Sequence, residues 1–76
     1  MSYLIRVLLP DAPGSLGRLA EAIGTVGGNI KSVDVVESLP DGTVMDDMVI
    51  SLPTNTMADV LISAAHMVAV AVIAGS

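Results

Sequence analysis

Between Tyr3 and Leu9 the chain reads YLIRVLL, aliphatic and β-branched residues arranged around a single charge. In a strand, Tyr3, Ile5, Val7 and Leu9 point one way and Leu4, Arg6 and Leu8 the other. Only the second face carries a charge, so the first is the expected core face. The stretch PDAPGS, Pro10 to Ser15, then breaks the strand with proline and glycine. Beyond it the rhythm lengthens. Leu16, Leu19, Ala20, Ile23 and Val26 recur at helical spacing, while Arg18, Glu21 and Thr25 fall elsewhere. Ser15 is placed to cap this helix, and Gly27-Gly28 to supply the left-handed backbone that ends it.

Asn29 to Leu39 predicts a second strand with imperfect alternation: Ile30 and Val36 share one parity, Val33 and Val35 the other. A bulge, or burial on both faces, accounts for such a pattern. Pro40-Asp41-Gly42 is a hairpin signal, and Thr43 to Leu52 the returning strand, with Val44, Met48, Ile50 and Leu52 as its cleaner apolar face. After Pro53, Thr56-x-x-Asp59 has the spacing of a capping box, and Met57, Val60, Leu61, Ala64 and Ala65 predict a second, short helix. MVAVAVIA, Met67 to Ala74, reads as the last strand. The order β-α-β-β-α-β predicts an α+β, ferredoxin-like domain: a four-stranded antiparallel sheet, spatial order 4-1-3-2, with two helices on one face. In that topology Arg6 and Asp47 sit mid-strand on the helix-free face of neighbouring strands, which predicts a cross-strand ion pair. The second strand is an unpaired edge and the helix-free face shows Leu4, Leu8, Met45 and Val49, so a homodimer or higher oligomer joined along the second strand and first helix is expected.

Composition narrows the function. All 76 residues fit one domain, too small to be strongly stable alone. The absence of cysteine removes disulfides and thiolate metal sites, and a single histidine makes no histidine cluster. A net charge of −5, with Arg6, Arg18 and Lys31 as the only cationic side chains besides that histidine, argues against nucleic acid and anionic membrane surfaces. The apolar run Val60 to Ala74 is shorter than the roughly 20 residues of a spanning helix and is interrupted by Ser63 and His66. With no basic leader at the N-terminus, a cytoplasmic protein is expected.

No catalytic constellation is visible. His66 lies among Ala and Met without a nucleophile, and a capped or solvated helix-end role suffices for it. Asp46 and Asp47 are strand neighbours and point to opposite faces, so they do not converge. Acylphosphatases share the topology, but need an arginine and an asparagine around a glycine-rich phosphate loop, whereas Arg6 lies inside a strand. An enzyme is therefore not expected, nor any cofactor. The Pro10–Ser15 loop is the better candidate, because unpaired amides and the positive end of a dipole gather at a helix start. Asn29, whose amide both donates and accepts, is expected at the same end of the sheet. The loop can hold a carboxylate and Asp11 an ammonium; equally, Pro, Gly and Asn can serve only as turn residues and Asp11 only as a turn cap.

The first strand followed by DAPGSL, an apolar helix, and GGNI opening the second strand resembles the ACT domain family across nearly the whole chain. The resemblance implies a regulatory module, attached to or associated with an enzyme of amino-acid metabolism, that binds an amino acid where two domains meet. It implies ligand contacts at Asp11, Ala12, Pro13, Gly14 and Ser15, and at Asn29 and Ile30 at the start of the second strand. Leu9 stands where some serine-binding members carry a histidine, which argues against serine as the ligand. A second expectation, of the same fold, is a ligand-free assembly module.

Overall fold

The computed structural model describes residues 1–75. It contains β1 (Ser2–Pro10), α1 (Ser15–Thr25), β2 (Asn29–Ser38), β3 (Thr43–Ser51), α2 (Ala58–Ala65) and β4 (Val70–Gly75). The strands form one antiparallel sheet in the order β2-β3-β1-β4, the expected ferredoxin-like arrangement. Ile5, Val7 and Leu9 of β1 meet Met48 and Ile50 of β3, Leu52 just beyond it, and Ala71 of β4 in one core. Leu19 and Ile23 of α1 and Leu61 and Ala65 of α2 close that core from the same side.

The irregular rhythm of β2 has a local cause. Its register against β3 slips between Ile30 and Ser32 and again between Val35 and Glu37. These two bulges bring Ile30, Val33 and Val35 opposite Ile50, Met48 and Asp46, all on the helix side of the sheet. Ile30 packs against the core, yet the helices do not reach far enough to cover Val33 and Val35: every β2 residue after Ile30 is exposed.

Helix ends follow backbone rather than side-chain logic. Gly14, at φ 85°, is the N-cap of α1, and no side chain caps it. The expected Ser15 cap is therefore incorrect. The left-handed turn at Gly14 allows the Ser15 N–H to donate to Ala12 O at 3.2 Å, which places Ser15 inside the helix. At the other end, Gly27 N–H donates to Gly24 O and Gly28 N–H to Ile23 O, a Schellman pair with Gly27 at φ 81°. The Thr56–Asp59 capping box is also overturned. Met57 is the N-cap of α2 without a side-chain bond, because Thr56 is drawn into a turn in which its N–H donates to Pro53 O. Asp59 stays in the first turn, where the helix dipole favours it. The last strand begins three residues later than the sequence pattern suggests. Met67, Val68 and Ala69 continue out of α2 through N–H bonds to Ala64 O and Ala65 O before β4 starts at Val70. His66 ends α2 and donates its Nε2 hydrogen to Ala71 O at 2.7 Å, tying helix to strand.

On the helix-free face Arg6 donates to both carboxylate oxygens of Asp47, at 2.8 and 3.0 Å, as the strand register requires. Leu4, Leu8, Met45 and Val49 surround the pair half-buried, and Val70 and Val72 of β4 extend the apolar surface. The Arg6 hydrogen bond, aided by its charge, holds the Asp47 carboxyl below the usual carboxylate range. The folded chain then binds fewer protons than the unfolded one, so this contribution is complete above the unfolded pKa and is lost as pH falls through the folded one. Asp47→Asn is expected to flatten the acid limb of stability, and added salt to do the same in the parent; urea midpoints across acidic pH check both.

Candidate functional site

The turn after β1 is held by the hairpin beside it. Asp11 N–H donates to Gly42 O at 3.0 Å, so the Pro10–Gly14 loop sits against the β2–β3 hairpin. The hairpin is itself fixed by Gly42 at φ 86° and by Asp41, whose carboxylate accepts from the Thr43 N–H and hydroxyl. Between this loop, the first turn of α1 and the sheet lies a cleft of about 170 Å³. Leu9, Leu16, Val35 and Val44 supply its apolar walls, and Asp11 and Asp46 its charge. It is smaller than the roughly 300–1,000 Å³ of pockets for drug-sized ligands and suits a metabolite of amino-acid size.

The positive end of a helix and a buried carboxylate meet at this cleft. The first N–H groups of a helix have no intrahelical partner; Ser15 uses its own on Ala12, which leaves those of Leu16 and Gly17 at the positive end of α1. Arg18 folds back over the same turn, its Nη2 donating to Ser15 Oγ at 3.5 Å. From the sheet side comes Asp46, on the core-facing row of β3 and 4% exposed. Burial, and then the charges of Asp11 and Asp47, push its carboxyl above the usual range. Here the folded state binds more protons than the unfolded one, so stability falls as pH rises through the folded pKa of Asp46. A thermal melt series is expected to show that fall in the parent and to lose it in Asp46→Asn.

Of the residues read from the sequence as ligand contacts, Asp11, Ala12 and Ser15 line the cleft, while Pro13 and Gly14 shape the loop beside it. Asn29 and Ile30 do not join them. Asn29 is opposite Ser51, which is opposite Ser2, whereas the loop follows Pro10, opposite Thr43. The expectation that Asn29 shares the loop's end of the sheet is thus overturned: α1 runs back along the sheet before β2 begins, which puts Asn29 at the far end. Sequence reasoning missed Asp46, Leu16 and Val35. For Asp46 a signal existed, since it interrupts the apolar row Val44, Met48, Ile50 and Leu52. Leu16 was expected in the core, but is 40% exposed at the cleft. Among the described residues no group of three His, Cys, Asp or Glu side chains can hold a metal, and no helix is long and apolar enough to cross a membrane.

This is a ferredoxin-like domain with a small cleft, lined by two carboxylates, at the turn after its first strand. No protein-family model matches the chain. The chain is similar to NAD-dependent malic enzyme 1 of Bacillus subtilis (strain 168), 46% identical over 44 residues, which takes in 54% of this chain and 10% of that enzyme. In three dimensions it resembles a formyltetrahydrofolate deformylase from Pseudomonas putida KT2440, with a TM-score of 0.71 over the whole chain and 29% of that protein. At 7% identity the second likeness concerns the fold alone. The chain therefore spans only a minor part of either protein.

Proposed function

We propose that this chain is a regulatory domain that binds an amino acid at a dimer interface and thereby controls an enzyme of amino-acid metabolism, to which it is linked or with which it associates. The observation that carries the reading is the position of the cleft: its outer wall is Val35, 67% exposed on a bare edge strand. A second copy pairing antiparallel along β2 would close that wall. Two-fold pairing reverses strand direction, so Asn29 of one copy would approach the Ser38 end of the other and, with it, the Asp11–Ser15 loop. The separation of Asn29 from the loop within one chain then becomes the condition for a shared site. The helix-start amides suit the ligand's carboxylate. The resemblance to ACT domains and the likeness to one-tenth of a malic enzyme support a module serving a larger metabolic enzyme.

A calorimetric amino-acid panel, with light scattering for oligomeric state, tests this. A dimer that binds one or more amino acids is expected; a compact monomer at micromolar concentration would refute the interface. Asn29→Ala is expected to weaken binding about tenfold, about 1.4 kcal/mol, with folding intact because the residue is an exposed strand start. Gly14→Val is expected to abolish binding, since its φ of 85° disfavours any β-branched side chain. Mixed dimers of these variants should regain one working site, made from the intact loop of one chain and the intact Asn29 of the other. A mixture that stays inactive would show that the two elements act within one chain. The second reading, a ligand-free assembly module, is favoured by the apolar surface on the helix-free face; a dimer indifferent to every amino acid would establish it.

A further inference from the structure

Asp46 is not accounted for by folding. It occupies a core-facing position between Val44 and Met48, and its Oδ1 is the buried side-chain polar atom, among the described residues, that lacks a hydrogen-bond partner. Native folds rarely leave such an atom unsatisfied, because desolvation is not compensated. The chain's own cations do not neutralise it. Arg6 is engaged with Asp47 on the opposite face, and Arg18 reaches Ser15. Its nearest charged neighbours, Asp11 and Asp47, are of the same sign. An apolar residue would fill this position at less cost, and the surrounding row shows that the sheet accepts one.

We propose that Asp46, with Asp11, receives the ammonium group of a ligand in the cleft, the ligand's carboxylate lying at the first turn of α1 and its side chain against Leu9, Leu16, Val35 and Val44. The inference rests on the amino-acid reading for the carboxylate, but not for the ammonium. Three features of the cleft act together. A buried carboxylate without a partner gives a strong charge-assisted bond to a cation. The first turn of α1, whose Ser15 and Leu16 line the cleft, brings the positive end of the helix to its other side and suits an anion. The remaining surface is aliphatic and small, which suits a branched aliphatic side chain and, with two carboxylates present, disfavours an acidic one. The site thus selects neutral aliphatic amino acids over glutamate and aspartate.

The test is a titration of the full chain and its Asp46→Asn and Asp11→Asn variants with L-valine, L-leucine, L-glutamate, isoamylamine and isovalerate, alongside melting curves without ligand. The parent is expected to bind L-leucine or L-valine and to ignore L-glutamate. Asp46→Asn is expected to lose at least tenfold in affinity while melting several degrees higher than the parent, because a buried charge without a partner has been removed. Asp11→Asn, at an exposed position, is expected to lose less affinity with little change in melting. Equal binding of L-leucine by Asp46→Asn and the parent would overturn the role of Asp46 and leave the amino-acid reading in place, as would isovalerate binding as well as L-leucine. Isoamylamine binding that depends on Asp46, with every amino acid inert, would sustain the ammonium site and overturn the amino-acid reading. A chain that binds none of these compounds would overturn both. An Asp46→Asn variant that melts lower than the parent would assign Asp46 to folding instead.

Discussion

Gly28→Val is expected to leave the protein largely unfolded at room temperature. Even the first added carbon would lie 2.5 Å from Ile23 Cγ2, 2.9 Å from the Ile23 carbonyl oxygen and 3.2 Å from Ile50 Cγ2. In a looser site the side-chain atoms would give way, but Ile23 and Ile50 are fully buried, and the Ile23 carbonyl already accepts the Gly28 N–H at 3.1 Å. Relief therefore requires moving the end of α1 away from β3. Overpacking a core usually costs about 1–3 kcal/mol, and a clash with fixed backbone lies at the upper end or beyond. In a small domain with only about 5–15 kcal/mol of stability at best, that is a large share. Far-ultraviolet circular dichroism and urea midpoints measure it. Gly17→Ala is the control, since a side chain there meets nothing within 4 Å.

Leu61→Ala should be nearly as damaging for the opposite reason. The helix α2 has only eight residues, short of the roughly 12–15 at which isolated helices become even marginally stable. Leu61 and Ala65 are its buried residues, and Leu61 is the larger. Removing it leaves a cavity beneath a helix with little else to hold it, at a cost of about 2–5 kcal/mol. Each kcal/mol lowers Tm by roughly 4–8 °C in a domain of this size. The neighbouring Val60→Ala, at an exposed position, is expected to change Tm by only a few degrees. A parent-like melt for Leu61→Ala would mean that α2 is not held through its buried row.

These contrasts show which parts of the fold were legible in the chain. The faces of β1 and β3 could be read because strand parity is unambiguous when one face is apolar throughout, and the Arg6–Asp47 pair followed from that parity and the topology. The edge position of β2 followed from the topology, while the conflict between Ile30 and Val33 left a bulge and two-sided burial as alternatives, of which the register shifts decide for the bulge. Caps were not legible. Ser15 and Thr56 are residues that often cap helices, but the decisive event was backbone turn formation at Gly14 and Pro53, which composition does not reveal. The start of β4 was hidden because Met67–Ala69 has equally apolar character in a turn and in a strand. At the site, the loop was evident from its Pro and Gly residues, whereas the location of Asn29 depended on which end of the sheet α1 returns to. Asp46 was set aside because its neighbour points the other way, a correct inference that obscured the more informative fact that one of the two must then face the core.

The bare edge of β2 has a kinetic corollary. Its backbone bonds to β3 on one side only, and its residues from Lys31 to Ser38 lie in water on both faces. In amide hydrogen exchange such a segment opens independently of the rest, with little apolar burial to oppose it. Its protection should therefore rise with protein concentration if copies associate there, while that of the buried core around Ile5 and Met48 should not. The edge strand would then be a segment whose rigidity is set by the population of assembled molecules, so that the readiness of the cleft wall at Val35 varies with how much of the protein is present.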